Sequence, residues 1–128
     1  MNRKGAKTVI SIVDDDVALG ASIKELLKSV GLVANVFTSA QAFLLSKRLA
    51  KTSCLVSDIK MPGMGGLELH RQLVAKGHHI PVIFMSAFDD EIVRKATEKA
   101  GAIGFLTKPL CEDDFLGCVR AAISTNRG

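Results

Sequence analysis

The residue best placed to do chemistry is Asp58, which ends a short apolar run and opens a loop. The apolar residues from Cys54 to Val56 predict a buried strand, and a proline and three glycines follow within residues 62–66, which is turn composition. Open α/β sheets place their functional groups at the carboxyl ends of strands. Asp is also common in turns, so this position taken alone fits a residue that only caps the next helix.

Four further polar residues follow other predicted strands. Asp14 and Asp15 follow the first strand, Ser86 ends the fourth, and Lys108 follows the fifth. Because the carboxyl ends of parallel strands meet at one edge of a sheet, we expect these side chains to gather around Asp58. The predicted site then combines three carboxylates, one hydroxyl and one ammonium from four strand ends, which points to a shared function.

Charge balance limits the chemistry of this predicted site. Two carboxylates about 4 Å apart repel each other by roughly 1 kcal/mol in water and by about 4 kcal/mol at an effective dielectric constant of 20. Three carboxylates beside one ammonium therefore need a cation, and oxygen ligands without histidine or cysteine select Mg²⁺, with Mn²⁺ or Ca²⁺ as lesser options. A metal ion, an ammonium and a hydroxyl around one carboxylate suit its attack on phosphorus, which gives an aspartyl phosphate.

The elements that position these residues alternate between apolar strands and amphipathic helices. Strands are predicted over 8–13, 32–37, 54–57, 80–85 and 103–106. Helices are predicted over 17–30, 39–51, 66–76, about 89–100 and 111–124. Such alternation predicts one α/β domain over residues 1–128, with a parallel sheet covered by helices on both faces.

The sequence predicts the ends of the first helix and the buried faces of the second and fourth helices. The first helix begins after the N-cap candidate Asp16 and ends before Gly31, a good helix stop. For the second helix, the pattern predicts a buried face of Ala42, Leu45 and Leu49. For the fourth helix, it predicts a thin apolar face of Ile92, Ala96 and Ala100, so this helix is expected to dock least firmly.

Composition excludes several classes of function. The chain has a net charge of +4, and its basic start is expected to be a disordered, solvated tail over about residues 1–6. It has six Phe and neither Trp nor Tyr, which argues against a base-stacking surface for nucleic acid. The first apolar run is too short for a signal peptide or membrane span, so a cytoplasmic location is expected. Three cysteines without a CxxC pair predict free, buried thiols.

Four motifs together resemble the receiver domain of response regulators in two-component signalling, and the resemblance covers nearly the whole chain. They are the segments Ile12–Asp16, Asp58–Gly66, Met85–Ala87 and Gly104–Pro109. The resemblance implies a three-layer, flavodoxin-like fold of five strand–helix units, with the parallel strands in the order 2-1-3-4-5. The segments around Ser86 and Lys108 also resemble receivers that are attached to helix-turn-helix DNA-binding domains.

The resemblance implies a role for each matching acid. Asp58 resembles the residue that accepts the phosphoryl group. Asp15 and Asp58 are expected to bind Mg²⁺ directly together with the backbone carbonyl of Lys60, while Asp14 is expected to act through water.

The resemblance also implies roles for the residues that follow the fourth and fifth strands. Ser86 and Lys108 are expected to bind phosphoryl oxygens, and the peptide bond between Lys108 and Pro109 is expected to be cis. Phe105 occupies the aromatic switch position, where many relatives have Tyr. The missing hydroxyl weakens any expectation about hydrogen bonding at this position in the active state.

The implied function is a switch that is phosphorylated by a histidine kinase or a phosphotransfer protein. Such a domain catalyses its own phosphorylation and dephosphorylation and is not a metabolic enzyme. Its output is expected to be transcriptional, through the face formed by the fourth helix, the fifth strand and the fifth helix, either as a homodimer or by control of an output domain. No direct nucleic-acid binding and no membrane contact are expected of this chain.

Two other functions remain open on the same architecture. A flavodoxin-like FMN module places a Ser/Thr/Gly-rich loop after the first strand, whereas this chain has three aspartates there. An aspartate-nucleophile phosphatase places its nucleophile after the first strand and a second Asp two residues later. Asp14 and Asp16 mimic that spacing, although the motifs at Asp58 and Lys108 fit a receiver better.

Overall fold

The computed structural model of the protein describes residues 8–127 and contains a five-stranded parallel sheet. Its strands are β1 (Val9–Val13), β2 (Val33–Phe37), β3 (Cys54–Asp58), β4 (Val82–Ser86) and β5 (Gly104–Thr107). They lie in the order β2-β1-β3-β4-β5. The fold class and the strand order expected from the sequence are confirmed.

Helices cover both faces of the sheet. They are α1 (Val17–Ser29), α2 (Ala40–Leu44), α3 (Gly66–Ala75), α4 (Glu91–Lys99) and α5 (Glu112–Arg127), with one 3-10 turn at Leu49–Lys51. One apolar cluster joins α1 and α5 to the sheet, and the other joins α2, α3 and α4 to the opposite face. The central strands β1, β3 and β4 are almost fully buried, as expected of parallel strands covered on both faces.

Helix α1 has the ends that the sequence predicts. The Asp16 side chain accepts a 3.1 Å hydrogen bond from the backbone N–H of Leu19, so it caps the helix start. At the other end Gly31 has a φ of +84°, a left-handed conformation that glycine adopts without strain. These ends place the acidic loop after β1 directly before the first turn of α1.

Helix α2 is shorter than predicted, and its predicted buried face is wrong in part, because only Leu49 of its three residues is buried. The helix stops at Leu44, Ala42 is exposed, and 87% of Leu45 is accessible. The chain turns at Ser46, whose hydroxyl accepts a 3.0 Å hydrogen bond from the backbone N–H of Arg48. Serine competes with helical hydrogen bonds in this way. The residues buried in this segment are Ala40, Phe43 and Leu49.

The predicted buried face of α4 is also wrong in part, because Ile92 is 81% exposed. Its place in the packing is taken by Val93 and by Thr97, which is only 1% exposed. The Thr97 hydroxyl donates a 2.7 Å hydrogen bond to the backbone carbonyl of Arg94, and this bond makes burial of a polar side chain tolerable. The helix presents little apolar surface to the sheet, as expected.

Three further expectations have different outcomes. The cysteines are free, but only Cys54 is buried; Cys111 is exposed and Cys118 is half-buried, so the expectation of three buried thiols is wrong. Within residues 8–127, no helix is long and apolar enough to cross a membrane. The expected disordered start over residues 1–6 lies outside the described residues.

Candidate functional site

The carboxyl ends of the strands bring the predicted acids together. Asp14, Asp15 and Asp58 each have a carboxylate oxygen within 4.8 Å of the others. Asp14 is fully buried, Asp58 is 7% exposed, and Asp15 faces solvent. The cluster therefore consists of two buried acids and one acid at the protein surface.

Lys108 places its ammonium between the two buried carboxylates. Its Nζ donates a 2.9 Å hydrogen bond to Oδ2 of Asp14 and lies 3.3 Å from Oδ2 of Asp58. Burial alone would lower the pKa of Lys108, but its hydrogen bond to Asp14 and the charges of both acids outweigh burial and raise the pKa. The lysine is thus held in its charged form.

The surroundings of Asp58 disfavour its charged form, and Lys108 offsets this effect only in part. Burial, followed by the charge of Asp14, raises its pKa above the ordinary value, while Lys108 acts in the opposite direction. The remaining excess of negative charge is the condition under which a carboxylate site binds a cation.

Backbone contacts hold Asp58 against the start of α3. The N–H of Ile59 donates a 2.9 Å hydrogen bond to the carbonyl of Met85, and the N–H of Gly66 donates a 2.9 Å bond to the carbonyl of Ile59. A Cβ at Gly66 would collide with the backbone carbonyl of Asp58. Glycine is therefore required there for close approach, and the loop after β3 is fixed at both ends.

Ser86 and Lys60 border a cavity of about 440 Å³ that is also lined by Ile59, the residue after Asp58. The Ser86 hydroxyl is buried and accepts a 3.1 Å hydrogen bond from the backbone N–H of Phe88. The exposed Lys60 ammonium lies 5.9 Å from the centre of the Phe88 ring, within the range of a cation–π contact. Ser86 follows Met85, the partner of Asp58 in the sheet, and its hydroxyl is oriented by its own loop.

Phe105 lies on β5, and Pro109 is the second residue after that strand. Phe105 pairs in register with Phe84 and is half-buried. The peptide bond between Lys108 and Pro109 is cis, the isomer that the resemblance implies. Phe105 is a predicted site residue that does not lie at the edge of the sheet with the acid cluster, because it is two positions before the end of its strand.

One contact in this region was not predicted from the sequence. The guanidinium of Arg94 lies 4.8 Å from the centre of the Phe105 ring and forms a 2.6 Å ion pair with Asp89. Sequence spacing gave no signal for the contact with Phe105, because it joins α4 to a strand whose register only the folded sheet defines.

The donor set fits a small divalent cation. Three carboxylates offer oxygen ligands, and no histidine or cysteine belongs to this group among residues 8–127. Hard oxygen ligands of this kind suit Mg²⁺, and Mn²⁺ is the alternative. The exposed position of Asp15 also leaves the mouth of the site open to the water that Mg²⁺ retains.

The geometry weighs against the two alternative functions. The Asp16 carboxylate caps α1 and does not belong to the acid cluster, so it is not in the position that a phosphatase mechanism would require. The loop after β1 presents carboxylates where a flavin phosphate would need backbone and hydroxyl donors.

Comparison with known proteins gives consistent matches. The family model described as "Response regulator receiver domain" matches residues 10–120. Response regulator protein TmoT of Ectopseudomonas mendocina is 43% identical over 117 residues, which cover 91% of this chain and 53% of TmoT. Transcriptional regulatory protein FixJ of Azorhizobium caulinodans is 39% identical over 114 residues, covering 89% of this chain and 54% of FixJ. The chain thus spans about half the length of these relatives.

Solved structures agree with these sequence matches. The response regulator StyR superposes with a TM-score of 0.87 at 38% identity, covering 95% of this chain and 62% of StyR. FixJ-N superposes with a TM-score of 0.82 at 28% identity, covering 97% of this chain and 96% of FixJ-N.

Proposed function

The chain belongs to the response regulator receiver family, and on that premise we propose that Asp58 accepts a phosphoryl group from a histidine kinase or a phosphotransfer protein. The observation that carries the proposal is the position of the Asp58 carboxylate, at the end of a buried strand, 3.3 Å from an ammonium and beside two further acids. This arrangement combines a nucleophile with the charges that a transferring phosphoryl group needs.

The proposed reaction is a transfer between two groups. An oxygen of Asp58 attacks phosphorus, the bond from phosphorus to the donor breaks with its electrons leaving on the donor, and an acyl phosphate forms. Lys108 binds one phosphoryl oxygen through its ammonium, and the Ser86 hydroxyl donates to another. Asp14, Asp15 and Asp58, with the Lys60 carbonyl, would hold Mg²⁺, whose charge offsets that of the incoming phosphoryl group.

The same contacts suggest how phosphorylation changes the structure. Lys108 now binds Asp14 at 2.9 Å, and a phosphoryl group on Asp58 would compete for that ammonium. The Ser86 hydroxyl now accepts a bond from Phe88 and would have to turn to donate to phosphoryl oxygen. We propose that this movement is passed to α4, β5 and α5, the face that controls a homodimer or an output domain.

We further propose that residues 1–128 form one receiver domain of a transcriptional regulator. Support comes from relatives that are named as transcriptional regulatory proteins, in which the matched residues make up 54% and 56% of the full length. Because transcriptional regulators act where the DNA is, the proposal includes a cytoplasmic location. The output face is tested by hydrogen exchange and light scattering with beryllium fluoride, an analogue of the phosphoryl group. Unchanged protection of residues 86–106 and an unchanged mass would contradict this part of the proposal.

The phosphoryl transfer itself is tested with a small phosphodonor and Mg²⁺. The wild type is expected to gain one base-labile phosphoryl group, and Asp58→Asn is expected to gain none because an amide is not a competent nucleophile. Asp16→Asn is the matched control, since asparagine also caps a helix and Asp16 lies outside the cluster. Equal labelling of Asp58→Asn, or loss of labelling in Asp16→Asn alone, would overturn the assignment.

A further inference from the structure

Arg94 connects three elements of the fold through one side chain. It lies on α4, it pairs with Asp89 in the loop between β4 and α4 at 2.6 Å, and its guanidinium lies 4.8 Å from the centre of the Phe105 ring on β5. A planar guanidinium over an aromatic ring gains electrostatic attraction that depends on their relative position. Because one side chain makes both contacts, Arg94 links the Phe105 ring to the loop that carries Asp89.

The ring belongs to β5 and the loop begins after Ser86, so both lie in the region that phosphorylation is proposed to change. Phe105 pairs in register with Phe84, two residues before Ser86, and side chains two residues apart in a strand point to the same face. Phe105 and Ser86 thus share the face that α4 covers. Asp89 follows Ser86 by three residues, so Arg94 joins the ring to the loop that Ser86 begins.

The ring has space beside it. A cavity of about 160 Å³ is lined in part by Arg94, Thr97 and Phe105. The apolar contacts of α4 with this region are few, since Thr97 is its one fully buried residue. The ring is half-buried against the apolar cluster on this face, so core packing restrains it only in part, and its contact with the guanidinium adds a further restraint.

We propose that Arg94 is a positioning residue that holds Phe105 and the loop between β4 and α4 in the unphosphorylated arrangement. The inference rests on the proposed function, because it assigns a resting state to the same switch. Movement of the ring away from the guanidinium ends the cation–π contact, and movement of the loop separates Asp89 from Arg94. Phosphorylation must offset both losses before the output face can change.

Removal of this restraint has a measurable consequence for ligand affinity. When only a fraction of the molecules is competent to bind, the apparent dissociation constant rises in inverse proportion to that fraction. Arg94→Ala raises the competent fraction, so beryllium fluoride is expected to bind Asp58 more tightly. A cation–π contact of ordinary strength corresponds to an increase in affinity of about two- to five-fold.

The experiment measures two quantities in the full chain with Mg²⁺. The first is the affinity for beryllium fluoride, by calorimetry. The second is the ¹⁹F NMR signal of Phe105 in protein labelled with fluorophenylalanine, assigned by its loss in Phe105→Leu. In Arg94→Ala without the analogue, this signal is expected to shift toward its position in the analogue-bound wild type. A merely structural role for Arg94 would not produce that shift together with tighter binding.

Lys95→Ala is the matched control on the same helix. Lys95 faces Glu91 at 4.0 Å, and both side chains are more than 70% exposed, so its removal takes away a cation without touching Phe105. It is expected to behave as the wild type. Arg94→Lys retains the charge opposite Asp89 but loses the planar stack, and Asp89→Ala retains the stack but loses the pair. Both are expected to give intermediate affinities, and they replace Arg94→Ala if that variant does not fold.

The experiments distinguish failure of the proposed function from failure of the role of Arg94. A wild type that neither labels at Asp58 nor binds beryllium fluoride defeats the proposed function, and this inference with it. A wild type that does both, beside an Arg94→Ala variant with the same affinity and the same Phe105 signal, defeats the role of Arg94 alone.

Discussion

Lys108 donates a 2.9 Å hydrogen bond to Asp14 across 94 positions of the sequence. The carboxylate is fully buried and the lysine side chain is 20% exposed, so the pair is largely removed from water. Removal of one partner from such a pair leaves an uncompensated charge. We predict that Lys108→Gln lowers the free energy of unfolding without metal by about 3 kcal/mol, measured by urea titration. Lys24→Gln, on the exposed surface of α1, is expected to change it by less than about 0.5 kcal/mol.

Mg²⁺ is predicted to raise the melting temperature of the wild type. A ligand that binds only the folded state at one hundred times its dissociation constant adds about 2.7 kcal/mol of stability. Asp15→Asn is expected to reduce this gain without lowering metal-free stability, because Asp15 is exposed. Its effect on Mg²⁺ affinity is expected to exceed that of Asp14→Asn, measured by calorimetry. Melting curves that do not respond to Mg²⁺ would rule out the proposed metal site.

Gly66→Ala tests whether the start of α3 holds the acceptor loop in place. The added methyl group meets the backbone carbonyl of Asp58, so the loop must shift. We predict a loss of about 1–3 kcal/mol in the free energy of unfolding and slower labelling of Asp58. Gly117→Ala, in the exposed part of α5 with nothing within 4 Å of the new methyl group, is expected to gain stability instead. Equal changes in the two variants would contradict the role of Gly66.

His70 is predicted to make stability fall on acidification. It packs edge-on against Phe84, with the ring centres 6.1 Å apart, and burial lowers its pKa below the ordinary value of about 6.5. The unfolded chain therefore binds the proton at a higher pH than the folded chain does, so stability is lost as the pH falls through 6.5. Arg71 and Lys99 border the same groove and add no compensating negative charge.

The measurement is the free energy of unfolding between pH 7.5 and pH 5. His70→Gln cannot be protonated and is expected to show a smaller loss than the wild type over this range. His79→Gln removes an exposed histidine from the loop after α3 and is the matched control for the loss of a histidine. Parallel slopes in His70→Gln and the wild type would show that His70 is not responsible.

Local rules of helix capping and apolar spacing were sufficient to predict much of the fold. For α1, Asp16 caps the start and Gly31 ends the helix. The central strands were equally predictable, because an uninterrupted apolar run is what two covering helices require. The proximity of Asp14 and Asp58 was also predictable, because the carboxyl ends of parallel strands lie at one edge of the sheet.

The errors arose where one local interaction outweighed periodicity. At Ser46, a hydrogen bond to the hydroxyl ends α2 before its predicted end. The Thr97 hydroxyl donates a hydrogen bond to a backbone carbonyl, so threonine can occupy a core position that was expected to be apolar. The stack of Arg94 on Phe105 depends on the register between β4 and β5 and on the rotation of α4. Neither quantity is encoded within a short window of sequence.

The separation of Asp14 from Lys108 also bears on how the protein is made. The strands that carry Asp14 and Asp58 are synthesised first. The last strand, β5, and Lys108 after it leave the ribosome after nearly all of the sheet. A chain interrupted before Lys108 presents carboxylates to one another with no cation between them. The cation that lies between the two buried carboxylates therefore joins the site only after all five strands have been synthesised.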